Sequence, residues 1–436
     1  MNIKLPVSLD VLVLLLLVPA FMIEQGQSFL LSVALLLYIG IELAYPLSDY
    51  KELPQTFDKT RLTFLLRLLL LFIILFAATG LPLFENVIFR VLTKPEPNGY
   101  TPAYLDLHDG ALQMEIAVAA LSEGVNPYAM RFDNTPMKFH TMIGGIEVPE
   151  MPYFHYFAYL PGYLILSTPF YQLMTQSGLL YDQRLIYFLF YLLFIFLLPL
   201  FVKAPVHKLL LISAVALNPK LVNPVITGMN DIVVIFFLGL TCYLTMKKRL
   251  LWAALFLGLA CTVKQSAWFF VPFYALLVWQ MIPIEQRKNT LIKMVCVMAI
   301  FPILFLVPFF LWDPNAFVTD IFSYPAGNVA FNYPIRGYSI GVILVGFGFI
   351  ESPLDSFPFW IFQLVIGVPI LILLFKYQWQ RNNIGIMLIC AGFFTFAFGF
   401  LSRFFQENYL GYVAVIITLG ILLTPVTEKL FQEKIE

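Results

Sequence analysis

Charge is what this sequence has least of. Of its 436 residues only 12% are Asp, Glu, Lys or Arg, in equal numbers of each sign, so the formal net charge is zero. A soluble domain carries roughly 25% charged residues, and a nucleic-acid partner calls for a basic excess; neither class fits. Cysteine is scarce as well. Cys242, Cys261, Cys296 and Cys390 all fall inside apolar runs without C-x-x-C spacing, which argues against disulfides and zinc. There is no Gly/Ser linker, no charge block and no visible repeat of two halves, as would suit one continuous domain.

Apolar residues, by contrast, are abundant: 60% of the chain is hydrophobic, with 45 Phe. Runs near the length of about 20 residues that a bilayer requires lie at 8–24, 28–46, 61–80, 184–202, 208–229, 231–247, 249–266, 268–283, 290–312, 356–376, 383–402 and 408–425. The expected fold is an all-α polytopic membrane protein with about twelve spans. A second apolar run follows the first with no small-residue cleavage site between them, so the first is expected to be a retained helix.

Basic residues favour cytoplasmic loops, and they cluster in alternate loops. Lys51, Lys59 and Arg61 open the series, followed by Lys203 and Lys208, then Lys247, Lys248 and Arg249; Arg287, Lys288 and Lys293, Lys376 and Arg381, and Lys429 and Lys434 continue it. Both termini are then cytoplasmic and the 81–183 segment is outside. That segment is too long for an ordinary connection and is rich in Tyr, Phe, Leu and Met. Within it, Ala111, Leu112, Met114, Ile116, Val118, Ala119 and Leu121 alternate with Gln113, Glu115 and Glu123, the pattern of a helix lying in the membrane interface. Asp109 stands at its N-cap position and Gly124 at its stop. A second half-embedded helix is expected at 156–174, where Pro161 and Pro169 spoil a straight span.

Four groups of residues have chemistry to offer. Asp106, His108 and Asp109 precede the first interfacial helix, and Asp109 is either a cap or a general base for a sugar hydroxyl. Asp231 in "GMND" is either a cap or a functional acid, with Asn230 beside it as a second oxygen ligand. Upstream, "LNPKLVNPV" puts Lys220 and two prolines into a spanning run, where broken helices line cavities. Lys264, Arg336 and Arg403 sit at helix edges on the side the charge bias disfavours, and together they suit a phosphate carried by a lipid.

In order along the chain, the acid before the interfacial helix, "GVNPY", "YLPG", "NP" with "GMND", "LGLACTVK" and "RFFQENY" resemble the GT-C superfamily of membrane glycosyltransferases. More narrowly they look like the bacterial and archaeal polyprenyl-phosphate-mannose-dependent mannosyltransferases. The resemblance spans roughly residues 61–409. It implies two extra N-terminal helices and a cytoplasmic loop in 1–60, and a catalytic module in 61–436 whose outer loop is 81–183. It also implies an inverting enzyme of the prokaryotic inner membrane that moves a hexose, mannose first, from a polyprenyl-phosphate sugar to a glycolipid or glycan at the outer leaflet. Asp109 and Asp231 would be the catalytic acids and Lys264, Arg336 and Arg403 the donor-phosphate ligands. Asp106, His108, Asn230, Lys220 and Tyr409 would be accessory or acceptor-side. Asp231 is a candidate ligand for a divalent cation, Mg or Mn. The family's usual Gly-His-Asn-Asp reads Gly-Met-Asn-Asp here, and 131–155 has no counterpart in its pattern.

Two other classes compete. A secondary transporter would use intramembrane Lys220 and Arg67, but such proteins commonly show paired halves. A polysaccharide polymerase or ligase of the outer leaflet would use outer arginines without needing Asp109. Single cysteines at Asn98 and Thr135 in a cysteine-free background should react with an impermeant maleimide in intact cells. Labelling at Thr56 or Gln378 instead would invert the topology.

Overall fold

A computed structural model describes residues 7–25, 28–47, 50–93, 107–140, 142–143, 146–148 and 150–432; Asp106 lies outside them. Helices α1 (Leu9–Gln25) and α2 (Ser28–Ala44) pair, and α2 packs on α3 (Lys59–Leu75). Apolar side chains alone would let these helices slide. A polar knot fixes them: Arg67 of α3 is fully buried against Asp10 and Glu42, with Ser8 and Tyr38 accepting further bonds from it. The Arg67 charge is thus neutralised within the N-terminal helices.

The helix begun by α3 does not stop at residue 80. A π-helical turn at Phe76–Gly80 carries it into α4 (Leu81–Leu92), giving 34 residues in all, about 50 Å at 1.5 Å per residue. The wider turn falls just before Pro82, whose ring removes a backbone donor. Arg90, in the last turn, reaches Glu115 at 2.6 Å and Asp182 at 3.0 Å.

Those contacts bear on α5 (Asp109–Ser122). The expected interfacial helix forms, but both of its faces are buried in protein. Gln113 donates to the Tyr153 and Tyr156 carbonyls, each at 2.9 Å, and Glu115 accepts from the Gln183 N–H at 2.8 Å as well as from Arg90. Polar spacing that suggested a water-facing side thus marks a hydrogen-bonded seam. The N-cap is His108, whose Nδ1 accepts from Gly110 N–H, one residue earlier than expected. The stop is where the sequence put it, with Gly124 left-handed at φ +80°. The next helix, α6 (Pro161–Gln176), packs on α5. It starts at Pro161, later than 156, because proline is at ease in a first turn.

After α7 (Gln183–Leu197), the run 208–229 forms two helices, α8 (Pro205–Leu211) and α9 (Pro219–Thr227). With the π turn that extends α8 they meet at a bend of 55°. Asn218 caps α9 and Pro219 opens it, so the break is written locally. Then come α10 (Asp231–Met246), α11 (Leu250–Val263), α12 (Val271–Met281), α13 (Ile284–Met298) and α14 (Ile300–Trp312). Three longer helical stretches end the chain: Trp360–Gln380, Ile384–Phe400 and Glu407–Gln432.

Among the described residues, five helices are long and apolar enough to cross a bilayer, or six if the bent pair is one span. Five more are apolar but shorter, and α12, with eleven residues, falls well below the span expected at 268–283. Ile284–Trp312 and Trp360–Gln380 are only 11% and 6% buried over their most apolar windows, as suits helices that face lipid. At least half of the corresponding window is buried in Lys59–Leu92, Gln183–Leu200 and Glu407–Thr427, which place the core. The described strands are two residues long: Met142–Ile143 pairs antiparallel with Ile146–Glu147, and Arg336–Gly337 parallel with Phe404–Phe405.

Arg90 joins α4, α5 and the start of α7 with its charges buried, so Arg90→Ala should cost about 3–5 kcal/mol by leaving carboxylates unpaired. Thermal unfolding in detergent should show the loss, and the double variant Arg90→Met with Glu115→Gln should recover much of it. An unchanged melting temperature for Arg90→Ala would refute the role.

Candidate active site

Three helix ends converge on one ion pair. Asp231 opens α10, Lys264 follows the last residue of α11, and Asn408 and Tyr409 lie in the first turn of Glu407–Gln432. Lys264 Nζ donates to Asp231 Oδ1 at 2.7 Å and to Asn230 Oδ1 at 2.9 Å, and stands 4.6 Å from the centre of the Tyr409 ring. Asn408 Nδ2 donates to the other Asp231 oxygen at 2.7 Å. An acid at a helix N-terminus and a lysine at a C-terminus each suit the local dipole. Both carboxylate oxygens of Asp231 are therefore occupied, and the residue is 3% exposed. It braces Lys264 and Asn408 from behind, and its surroundings do not suit a divalent cation. Among the described residues no group of three or more His, Cys, Asp or Glu side chains could hold a metal ion.

The turn before Asp231 also receives α5. His108 N–H donates to Thr227 O at 2.9 Å, and Gly228 is left-handed at φ +100°. A Cβ there would stand 2.8 Å from that of Ala111, so the glycine serves both the turn and the close approach. Asp109 is thereby fixed relative to Asp231.

Between them opens a cavity of about 570 Å³. Asn230, Lys264 and Asn408, joined by the hydrogen bonds around Asp231, line it together with Ser266, and Phe269, Phe322, Phe398, Phe404 and Phe405 are among its apolar lining residues. Asp109 lies among Tyr153, Tyr159, Tyr324 and Tyr333. Burial holds the phenols of Tyr153, Tyr159 and Tyr333 far above their usual range, and the Asp109 charge pushes the same way. They stay neutral donors. Gly110 N–H donates to Asp109 Oδ1 at 2.7 Å, while Oδ2 takes no hydrogen bond among the described residues. The Asp109 side chain is 28% exposed. Its open oxygen can accept a proton from a ligand hydroxyl.

The three cations expected to act together have different surroundings. Lys264 is ion-paired. Arg403 is 2% exposed, and its guanidinium donates to the backbone carbonyls of Tyr333, Pro353 and Asp355; burial pulls it down to about 10. It pins a loop. Arg336 is half-buried beside Tyr333, and its guanidinium makes no hydrogen bond or ion pair among the described residues. Lys220 pairs with Glu407 at 2.8 Å and its side chain is 44% exposed, so it is not held within a buried span. The sequence reading missed Ser266 and the four tyrosines and gave Asn408 no role. Asn408 lies inside the quoted "RFFQENY", and Ser266 follows Lys264 by two residues, but neutral side chains give no spacing signal.

The site is thus a phenol-ringed carboxylate open to a cavity inside an apolar helical bundle. The chain belongs to glycosyltransferase family 87, whose model matches residues 157–425, well over half of the sequence. Asn230, Asp231, Lys264, Arg336, Arg403 and Tyr409 fall within the match, while His108 and Asp109 precede it. No curated protein and no solved structure matches the chain.

If Arg403 holds the loop, Arg403→Ala should speed amide hydrogen exchange across 333–357 and lower the melting temperature. A rise in the Michaelis constant for a donor with unchanged exchange would show that it serves a ligand instead.

Proposed function

We propose that the chain transfers a hexose, mannose first among candidates, from a polyprenyl-phosphate sugar to a hydroxyl of a glycolipid or glycan, with inversion. The observation that carries this is the open Oδ2 of Asp109 in the cavity of a family 87 glycosyltransferase. The acceptor oxygen attacks C1 of the hexose, its proton passes to Asp109, and the bond from C1 to the phosphate oxygen breaks. Polyprenyl phosphate leaves. The phenylalanines of the lining suit the prenyl chain, and Arg336, beside the lining residue Tyr333 though not itself in the lining, is the uncommitted cation that could offset charge growing on the phosphate. Positive-inside bias supports an outer-face position for the 81–183 segment, and with it Asp109, in what we take to be a prokaryotic inner membrane.

The decisive variant is Asp109→Asn. The cap belongs to His108, and an amide oxygen still accepts from Gly110 N–H, so the melting temperature should hold. Transfer of labelled hexose should fall at least about a hundredfold, within the range of general-base contributions. Near wild-type transfer by Asp109→Asn would remove the base assignment. Failure of wild type with mannosyl, glucosyl and arabinosyl polyprenyl-phosphate donors would remove the donor class.

A further inference from the structure

Three buried polar atoms near Lys264 have no hydrogen-bond partner among the described residues: Asn230 Nδ2, Ser266 Oγ and Asn408 Oδ1. Their residues are 5%, 8% and 9% exposed, and all three line the cavity with Lys264. Leaving such atoms dry and unpaired is costly, which points to a ligand that completes them. Chemistry fixes which atom of each amide remains. Lys264 must donate to an oxygen, so Asn230 keeps its NH₂; Asp231 must accept from nitrogen, so Asn408 keeps its oxygen. The unfilled positions are thus one donor, one acceptor and one hydroxyl that is both.

A phosphate group cannot satisfy this set. Its unprotonated oxygens only accept, so Asn408 Oδ1 would stay unpaired. The Lys264 charge is also already answered by Asp231 at 2.7 Å, which leaves no net positive charge to attract an anion. Sugar hydroxyls donate and accept at once, and adjacent ones on a ring can meet an amide, a hydroxyl and an ammonium together. We infer that Asn230, Lys264, Ser266 and Asn408 form the subsite for the ring hydroxyls of the transferred hexose, and that Lys264 is not the phosphate ligand.

This rests on the proposed transfer, and the test separates the two. With purified protein in nanodiscs, Ser266→Ala should raise the Michaelis constant for the polyprenyl-phosphate hexose about three- to tenfold, the loss of one hydrogen bond. It should leave inhibition by sugar-free polyprenyl phosphate and the constant for acceptor unchanged. Ser266→Cys, which keeps a weak donor, should fall between. Arg336→Gln should weaken donor and sugar-free phosphate alike. Equal weakening of both by Ser266→Ala, or a rise for acceptor alone, would overturn the subsite while leaving the transfer intact. If no polyprenyl-phosphate sugar is a donor, saturation-transfer NMR with methyl hexosides decides separately. A wild-type signal lost in Ser266→Ala supports the subsite, and a signal indifferent to that change, or none in wild type, overturns it.

Discussion

The pairing of Lys264 with Asp231 is the contact on which the cavity depends. Each charge is buried, and either one alone would be costly where it stands. Satisfying both, with Asn230 and Asn408 taking the remaining bonds, requires the start of α10, the end of α11 and the start of Glu407–Gln432 to meet at one point. Those three ends make the polar floor. The contact also sets the floor's electrical character, since a paired lysine presents hydrogen-bond donors without a net charge.

The same constraint acts elsewhere in the chain. Arg67, Arg90 and Arg184 are buried and ion-paired, and Arg403 is buried and bonded to carbonyls. In a protein with so few charged residues, most buried cations are holding elements together. Arg336, half-buried and uncommitted, stands out against them. Counting cations on one side of the topology could not separate these roles, because a sequence displays a charge and not its partner.

What was legible follows the same division between local and distant causes. The apolar runs, the prolines that interrupt 208–229 and the stop at Gly124 were readable, and the start of α5 to within one residue, since each depends on neighbouring residues. The number of helices that cross was less legible, because several of the apolar runs form helices shorter than a straight crossing needs. Burial of Gln113 and Glu115 was equally hidden. Helical spacing tells which side is polar, but only tertiary contacts tell whether that side meets water, lipid or Tyr153, Arg90 and Gln183. Ser266 and Asn408 acquire meaning from unfilled hydrogen bonds, which no motif records.

The family match begins after Asp109, yet the acid is tied to the matched part by the His108–Thr227 hydrogen bond and the close approach at Gly228. That tie matters for how charge moves in the proposed reaction. Before transfer the cavity would hold one negative charge on Asp109 and one on the phosphodiester. Afterwards Asp109 would be neutral and the phosphate monoester would carry both. The total is unchanged, so no ion has to enter or leave the cavity during the step. Negative charge would only shift, away from phenols that remain neutral and toward the donor phosphate. A neutral floor at Lys264 suits this movement, because an uncommitted cation there would draw the phosphate into the place proposed for the hexose.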